Sequence, residues 1–191
     1  MMAALTAADR RFDELLRQRF GSAYLGWTGA AYAPEIGGGF VGRPAGAALK
    51  TYVLHHTAGR QADTGADIWR FHTRRLGWAT DGYHVFVRND GRVELLIPPS
   101  WMSYGAGPEW NPTTVHVVTP GNYASVHDPA TAPLNAIYRV FCALDDAYGS
   151  RPWRGHRELK ATACPGKLQA HLERMRGPAY GAATRRPTSY P

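Results

Sequence analysis

The sequence predicts an α/β fold in which a mixed central β-sheet is flanked by helices. Short runs rich in β-branched residues alternate along the chain with amphipathic stretches of helical periodicity. One pair of β-rich runs, in YHVFVRNDGRVELLI, is joined by Asn89, Asp90 and Gly91, which tolerate positive φ and predict an antiparallel hairpin. Strands alternating with helices, together with one hairpin, are typical of a mixed sheet in a single domain. The length of 191 residues fits one domain with extensions.

The helices are predicted from apolar spacing and capping residues. A first helix from Thr6 to Phe20 has an N-cap threonine and an apolar face that includes Phe12 and Leu16. It is expected to pack on the domain, because its polar face carries acidic as well as basic residues and so disfavours a membrane-active role. Further helices are predicted at residues 65–76, 134–148 and 165–174.

The strands and linkers complete the expected organisation. Strands are predicted at residues 51–57 and 113–119, with a short one at 151–155. The Gly- and Pro-rich segment 25–46 is predicted to be an irregular linker. We therefore expect an N-terminal extension at 1–45, made of a helix and this linker, a catalytic domain at 46–178 and a loose tail at 179–191.

Composition narrows the classes of function. Apolar residues make up 44% of the chain, enough for a sizeable core, and the chain is too rich in aromatic residues and too poor in charge runs to be disordered. No apolar run approaches the roughly 20 residues that span a bilayer. Asp9, Arg10 and Arg11 interrupt the start of the chain, so a cleavable secretory signal is not expected. The net charge of +7 favours polyanionic partners, either nucleic acid or a bacterial cell wall. Basic residues are scattered singly or in pairs such as Arg185 and Arg186 rather than clustered, which disfavours nucleic acid.

The stretch RGHRELKATACPGKL holds a histidine and a cysteine eight positions apart, His156 and Cys164. Proline is favoured at the first position of a helix, so the following Pro165 predicts that Cys164 caps a helix. A helix N-terminus stabilises a thiolate, which is a nucleophile or a soft metal ligand. A buried structural thiol is the remaining alternative, and that is the reading for Cys142, which lies in a segment of helical periodicity.

A third ligand for a metal site is available from VLHHTAG. His55 and His56 end a predicted buried strand, where successive side chains point to opposite faces, so one of them can face His156 and Cys164. Zinc takes nitrogen and sulfur ligands, and three protein ligands leave the fourth position open in catalytic sites. Both histidines could instead be hydrogen-bonded sheet residues.

Tyr83 opens the first strand of the hairpin, at a sheet end where functional groups collect. Its hydroxyl could donate a hydrogen bond to a metal-bound water or to a developing oxyanion. The alternative is an aromatic side chain that covers the edge of the sheet.

Three motifs occur in order along the chain: VLHHTAG, DGYHVFVRNDGRVE and GHRELKATACPG. With them, residues 48–173 resemble the type 2 N-acetylmuramoyl-L-alanine amidases, a family that includes amidase-type phage lysozymes and animal peptidoglycan recognition proteins. Each motif alone is modest, but the ordered set with the correct His–Cys interval is specific. The fold implied is that of the type 2 amidases and peptidoglycan recognition proteins.

The resemblance implies a zinc hydrolase that cuts the amide between the lactyl group of N-acetylmuramic acid and L-alanine in peptidoglycan. It implies Zn²⁺ ligation by His55, His156 and Cys164, and a catalytic role for Tyr83. Thr162 takes a position that is lysine in the phage lysozymes and threonine in many amidase-active recognition proteins, and would donate a hydrogen bond to the oxyanion. A peptidoglycan-binding module without activity is the alternative; members that only bind typically lack the cysteine ligand, which is present here.

Two features depart from the family pattern. The phage lysozymes carry His-Ala-Lys-Gly on a groove loop where this chain has SYGAG, residues 103–107, and His116 stands where the family often has glycine. The peptide preference of the family is therefore not carried over. His116 is either a groove residue or a buried strand histidine.

Several other aromatic and polar side chains could either contact substrate or have a purely structural role. Trp78, Trp101, Tyr104 and Trp110 could stack on sugar rings or anchor loops, and Asn111 could be a polar groove residue. The remaining histidines are expected in structural or surface positions: His84 in the core, His72 on a helix face, and His127 and His171 at the surface.

The expected biological role is that of a phage or prophage endolysin, made in the cytoplasm of its bacterial host and released to the wall by a holin. A cytosolic wall-recycling amidase is the alternative. The expected partner is peptidoglycan, bound by a monomer without stable membrane insertion. The positive charge is expected to hold the protein to the anionic wall.

Overall fold

The computed structural model describes residues 5–177 and residue 180. The helices of this part of the chain are α1 (Ala7–Phe20), α2 (Gly29–Ile36), α3 (Gly65–Arg70), α4 (Thr131–Tyr148) and α5 (Leu168–Met175). Its strands are β1 (Val41–Gly42), β2 (Thr51–His56), β3 (Val85–Val87), β4 (Val93–Leu95), β5 (Trp101–Met102), β6 (Thr114–Thr119) and β7 (Trp153–Gly155). None of the helices among these residues is long and apolar enough to cross a membrane.

Five strands form the central sheet in the order β4-β3-β6-β2-β7. The β2 strand runs parallel to β6 and β7, β3 runs parallel to β6, and β3 and β4 form the predicted antiparallel hairpin. The α/β fold with a mixed central sheet is therefore confirmed. Because β2 and β6 lie inside the sheet and are buried along their whole length, they read as nearly continuous β-rich runs rather than alternating ones.

Helices cover both faces of this sheet. Val85 and Val87 face a large cluster with α1, α4 and α5, whereas Phe86 faces a smaller cluster with α2 and α3. Successive strand residues must point to opposite faces, so one strand supplies both clusters. The smaller cluster also contains Trp69 and the partly buried Tyr83, and it lies on the same side of the sheet as His55.

The first helix follows its sequence signals closely. The hydroxyl of Thr6 accepts a hydrogen bond from the backbone N–H of Asp9 at 3.1 Å, and the Asp9 carboxylate accepts one from the backbone N–H of Thr6 at 2.9 Å. This capping box satisfies donors that the helix would otherwise leave unpaired. Phe12 and Leu16 are fully buried in the large cluster, so α1 packs against the domain as predicted.

The segment 25–46 is more ordered than predicted and is not an irregular linker throughout. It contains α2 and β1, and β1 pairs antiparallel with β5. Tyr32 and Phe40 place their rings 6.2 and 6.0 Å from that of Trp69, whose indole N–H donates to the Gly37 carbonyl. These long-range contacts order a segment whose glycines and prolines locally favour a loop.

Several element limits differ from the predictions by a few residues. The predicted helix 65–76 ends as α3 at Arg70 and continues as a π-helical turn, Phe71–Arg75. The long helix begins three residues early, at Thr131, and α5 begins at Leu168 rather than at 165. The boundary between the extension 1–45 and the domain stays a prediction. The predicted tail 179–191 lies outside the described residues except for Tyr180.

Candidate metal centre and active site

The candidate site lies where β2 and β7 end. These strands are parallel neighbours, with Leu54 opposite Gly155, so the residues that follow each strand emerge at the same edge of the sheet. His55 comes from the end of β2, and His156 follows β7 directly. Cys164 arrives from the turn that precedes α5. The potential ligand atoms of these three residues all lie within 4.8 Å of one another.

The spacing of these atoms suits a single small cation. Cys164 Sγ lies 3.7 Å from His55 Nδ1, and the rings of His55 and His156 have centroids 4.5 Å apart. Ligands held at 2.0–2.3 Å from one tetrahedral zinc ion lie roughly 3.5 Å from each other. In addition, His156 Nε2 is buried and has no hydrogen-bond partner among the described residues. The two imidazoles and the thiol therefore fit a zinc ion by geometry and by donor type.

Both histidines are neutral at physiological pH. Burial lowers the pKa of His55 well below its ordinary value, and the neighbouring His116 and His156 add to this effect. Burial also lowers the pKa of His156 to about 4, helped by the charge of Lys160. A neutral imidazole keeps a lone pair on one nitrogen, which is the form that binds a metal.

The prediction that Cys164 caps a helix and ionises easily is wrong. Residues 164–167 form a turn that includes a cis peptide between Cys164 and Pro165, and the helix begins only at Leu168. The thiol is buried, and desolvation raises its pKa to about 12, although the His56 backbone N–H donates to Sγ at 3.3 Å. The thiolate therefore depends on a cation beside it, as in a metal site.

His56 takes the structural role of the pair. Its side chain points to the opposite face from His55, as the strand alternation predicts, and its Nδ1 accepts a hydrogen bond from the backbone N–H of Tyr123 at 3.0 Å. Its backbone N–H holds the Cys164 sulfur in place. His56 thus orders the strand end while His55 faces the site.

Tyr83 lies beside the cluster, two residues before β3. Its ring centroid is 5.4 Å from that of His55 and 5.4 Å from that of His72. Desolvation and the nearby Cys164 raise the pKa of its hydroxyl far above the ordinary value, so it stays protonated and can act only as a neutral donor or acceptor. No hydrogen bond from a described residue contributes to this shift, so the hydroxyl can still bond a substrate group.

Thr162 lies on the loop that leads to Cys164. Its hydroxyl oxygen accepts a hydrogen bond from the Cys164 backbone N–H at 3.2 Å, and the residue is partly exposed. The hydroxyl proton is not used by this contact. Thr162 is therefore oriented by the same loop as the cysteine and can still donate.

Beneath the site, His116 is a fully buried strand histidine in direct contact with His55. Its Nδ1 lies 2.9 Å from His55 Nε2, and its Nε2 lies 2.7 Å from the Thr114 hydroxyl. Of the two readings of His116, the buried one is confirmed, but the contact with His55 was not expected. Burial, followed by the neighbouring His84 and Arg43, lowers the pKa of His116 well below its ordinary value.

His84 and Ser103 form a further buried layer. The His84 Nδ1 accepts from the backbone N–H of His116 at 2.9 Å and lies 2.9 Å from the Ser103 hydroxyl. His84 is in the core as predicted. Ser103, the first residue of the expected groove loop, is also fully buried, so it anchors the loop instead of lining a groove.

Arg43 is a site neighbour that sequence analysis did not identify. Its guanidinium donates to the backbone carbonyls of Pro99, Asn111, Pro112 and Thr114, and it lies 3.2 Å from His84 Nε2. Desolvation lowers its pKa to about 10, so it remains charged. Its position in a Gly- and Pro-rich stretch gives no periodic signal for this role.

Asp81 and His72 support the other side of Tyr83. The Asp81 carboxylate accepts from the Tyr83 backbone N–H at 2.7 Å and lies 3.2 Å from His72 Nδ1. The His72 ring stacks on Trp78 with centroids 4.5 Å apart. His72 is buried on its helix face as expected, but it also packs against the candidate catalytic tyrosine.

Of the other candidate groove residues, two hold loops in place and two are partly exposed aromatic side chains. Trp101 packs on Phe40 at 5.7 Å, and the buried Asn111 side chain accepts from the Ala106 backbone N–H at 2.9 Å. Both hold loops in place. Trp78 and Tyr104 are partly exposed neighbours, 6.1 Å apart, on the Tyr83 side of the site.

The chain is similar to known peptidoglycan amidases and recognition proteins. Peptidoglycan-recognition protein SC1a of Drosophila melanogaster is 31% identical over 132 residues, covering 62% of this chain and 68% of that protein. Among solved structures, the Ph2119 endolysin of a Thermus scotoductus bacteriophage matches with a TM-score of 0.63 and 30% identity, covering 71% of this chain and 89% of that one.

The N-acetylmuramoyl-L-alanine amidase LysC of Clostridium intestinale shares the fold, with a TM-score of 0.59 and 22% identity over 66% of this chain and 85% of that chain. The family model described as N-acetylmuramoyl-L-alanine amidase matches residues 45–167, which include the three candidate ligands and Tyr83. This chain therefore belongs to the N-acetylmuramoyl-L-alanine amidase family.

Proposed function

We propose that this protein is a zinc-dependent amidase that hydrolyses the bond between the lactyl group of N-acetylmuramic acid and L-alanine in peptidoglycan. The observation that carries the proposal is the convergence of His55, His156 and Cys164 beside the hydroxyl of Tyr83. Family membership supports amide hydrolysis in general. The intact ligand set favours catalysis over binding alone.

The metal site is the first requirement of this function. His55, His156 and Cys164 would hold the ion as two neutral imidazoles and a thiolate. Bound there, zinc would supply Lewis-acid polarisation of the scissile carbonyl and would lower the pKa of a water ligand to about 7.

The side chains around the metal site supply the hydrogen bonds that amide hydrolysis needs. Tyr83 keeps its proton because burial raises its pKa, so it can donate to the oxygen that gains negative charge. Thr162 can donate from the loop that carries Cys164, since its oxygen is held by the Cys164 N–H. A neutral hydroxyl stabilises an oxyanion less than an ammonium group would.

Amide cleavage on purified peptidoglycan tests this proposal. The zinc-loaded protein is incubated with the wall polymer, and newly exposed L-alanine amino groups are quantified. We expect new L-alanine termini that disappear with a chelator and return with added zinc. Cys164→Ser should abolish them, whereas Cys142→Ser, which changes a thiol in α4, should not.

A peptidoglycan-binding protein without activity is the second candidate function. It is favoured by the likeness to peptidoglycan-recognition proteins rather than by any feature of the site. A folded protein that holds one zinc ion and binds the wall, yet releases no L-alanine amines, would establish this candidate in place of the amidase.

We further propose that the protein acts as a monomeric endolysin of a phage or prophage. The support is the likeness to the Ph2119 endolysin at 30% identity. In this role it is made in the host cytoplasm and reaches the wall after a holin opens the membrane. Expression in a bacterial host should then cause lysis only when a holin is co-expressed, whereas a wall-recycling amidase would act on imported fragments and cause no lysis with or without a holin.

A further inference from the structure

A line of hydrogen bonds runs from the metal site into the sheet. His55 Nε2 lies 2.9 Å from His116 Nδ1, His116 Nε2 lies 2.7 Å from Thr114 Oγ1, and Thr114 Oγ1 lies 2.9 Å from the Trp110 carbonyl oxygen. His55, His116 and Thr114 are buried, so water does not offer these atoms other partners. The four residues are the His55 relay.

The Trp110 carbonyl, at the end of the relay, determines which atom donates and which accepts in every hydrogen bond. A backbone carbonyl only accepts, so the Thr114 hydroxyl donates to Trp110 and has only lone pairs left for His116. His116 must therefore donate from Nε2. A neutral imidazole has a single N–H, so with that proton on Nε2 the His116 Nδ1 carries a lone pair and accepts.

The same logic fixes the tautomer of His55. Because His116 Nδ1 accepts, His55 must carry its proton on Nε2 and its lone pair on Nδ1. The Nδ1 atom is the one that faces Cys164 Sγ, at 3.7 Å. The relay thus presents the lone pair of His55 to the metal site before any metal is bound.

We propose that His116 is a positioning residue that holds His55 in its metal-binding tautomer and orientation. Metal-bound histidines usually donate their second N–H to a carboxylate, a carbonyl or water. In this protein the acceptor for the second N–H of His55 is the neutral imidazole of His116. The inference rests on the proposed zinc site and deepens it, because it assigns a role to a residue outside the ligand set.

The fold around His116 is built to admit this ring. A Cβ on Gly105 would lie 2.6 Å from the Gly82 carbonyl oxygen and 2.9 Å from two atoms of the His116 imidazole, so a glycine is needed where the loop lies over the ring. The sheet register puts His116 opposite Val53, which makes it the diagonal neighbour of His55 on the same face. Gly105 of the loop 103–107 and His116 of β6 therefore pack directly against each other.

Zinc affinity is the first readout, measured by competition with a chromophoric chelator. His116→Phe keeps the ring volume and removes the acceptor, so we expect zinc binding about 10–100-fold weaker. His116→Asn restores an acceptor oxygen near the Nδ1 position and should recover most of the affinity. Wild-type affinity in a folded His116→Phe protein, or equal losses in both variants, would overturn the proposal.

The middle of the relay supplies a matched pair of variants. Thr114→Val removes the acceptor for His116 Nε2 and should weaken zinc binding less than His116→Phe does. Thr80→Val removes another fully buried hydroxyl that has no hydrogen-bond partner among the described residues, and should leave zinc affinity unchanged. Equal zinc affinity in these two variants would contradict the relay.

The tautomers of His55 and His116 can also be measured in the protein without any substitution. Nitrogen NMR of the zinc-loaded protein should show protons on Nε2 of both His55 and His116. A proton on His116 Nδ1 would overturn the relay while leaving the amidase intact. Zinc binding without release of L-alanine amines would overturn the amidase alone, and failure of the unmodified protein to bind zinc would overturn both.

Discussion

Tyr83 shows how burial selects one chemical role for a side chain. Its hydroxyl is desolvated by burial beside Cys164 and Asp81, where the negative charge of a phenolate would be poorly solvated. The pKa is therefore raised, and the side chain cannot act as a base near neutral pH. It can donate one hydrogen bond, and no hydrogen bond from a described residue contributes to its pKa shift.

Tyr83→Phe should consequently slow the reaction without disturbing the metal site. Removing one donor to a developing oxyanion costs about 10²–10³-fold in kcat. Zinc affinity and KM should change little, because the ring and its packing remain. Tyr24→Phe is the matched control, since its hydroxyl bonds Asp13 on the opposite side of the sheet. A kcat of Tyr83→Phe within twofold of wild type would remove Tyr83 from the mechanism.

At the scale of elements, α1 is part of the main core. It packs on α4, and the fully buried Phe12 places its ring 6.1 Å from that of Tyr148. The Asp9 carboxylate at its start also accepts hydrogen bonds from the Ser100 backbone N–H at 3.1 Å and from the Tyr148 hydroxyl at 2.6 Å. Helix and domain are thus joined by apolar packing and by a buried carboxylate.

Phe12→Ala should therefore destabilise the whole protein rather than only its N-terminal segment. A buried Phe→Ala change costs about 3–5 kcal/mol in the free energy of unfolding. Arg11→Ala on the exposed face of the same helix should cost less than about 0.5 kcal/mol. Urea denaturation followed by tryptophan fluorescence measures both. If Phe12→Ala unfolds with the wild-type midpoint, α1 is not part of the cooperative core.

The turn that presents His156 is held by Glu158. Its carboxylate accepts from the Gly155 backbone N–H at 2.6 Å, and from Arg176 at 2.6 Å and Gln169 at 3.0 Å, so it ties this turn to α5. Burial alone would raise the pKa of Glu158. The hydrogen bonds outweigh it and lower the pKa to about 2, below the ordinary value of 4.5.

This depressed pKa predicts how stability changes in acid. A carboxylate with a lower pKa in the folded state contributes stability above the unfolded pKa, and the contribution is lost as the pH falls from 4.5 towards 2. Glu158→Gln should lack this contribution, so its urea midpoint should fall less than that of wild type between pH 5 and pH 2.5. Parallel midpoints for the two proteins over this range would show that Glu158 does not contribute in this way.

At the scale of the whole molecule, we expect the net charge of +7 to attract the anionic cell wall that is the proposed substrate. A cell wall rich in carboxylates and phosphates attracts a basic protein over distances of about 10 Å at 0.1 M salt, and over only about 3 Å at 1 M. Electrostatic attraction of this kind can concentrate the protein on the wall without the help of a separate wall-binding domain.

Wall digestion should accordingly weaken as salt rises, while hydrolysis of a small soluble muramoyl peptide should not. Turbidity of a wall suspension at low and high sodium chloride measures the first, and release of amines from the soluble fragment measures the second. Equal wall digestion at both salt concentrations would show that net charge does not hold the protein to its substrate.

The sequence by itself determined the elements and the members of the candidate site. Capping residues and apolar periodicity located α1 and α4, and the β-rich runs located β2, β6 and the hairpin. The motifs singled out His55, His156 and Cys164, which the structure brings together. These signals are local, because a cap, a period or a short motif is written in consecutive residues.

Only the tertiary structure decided how these residues are held. The helix α2 depends on contacts with Trp69, and the raised pKa of Cys164 depends on burial that no local pattern records. The contact between His55 and His116 follows from the pairing of β2 with β6. Strand register and desolvation arise from residues far apart in the chain, so local propensity could not reveal that His116 lies against a metal ligand.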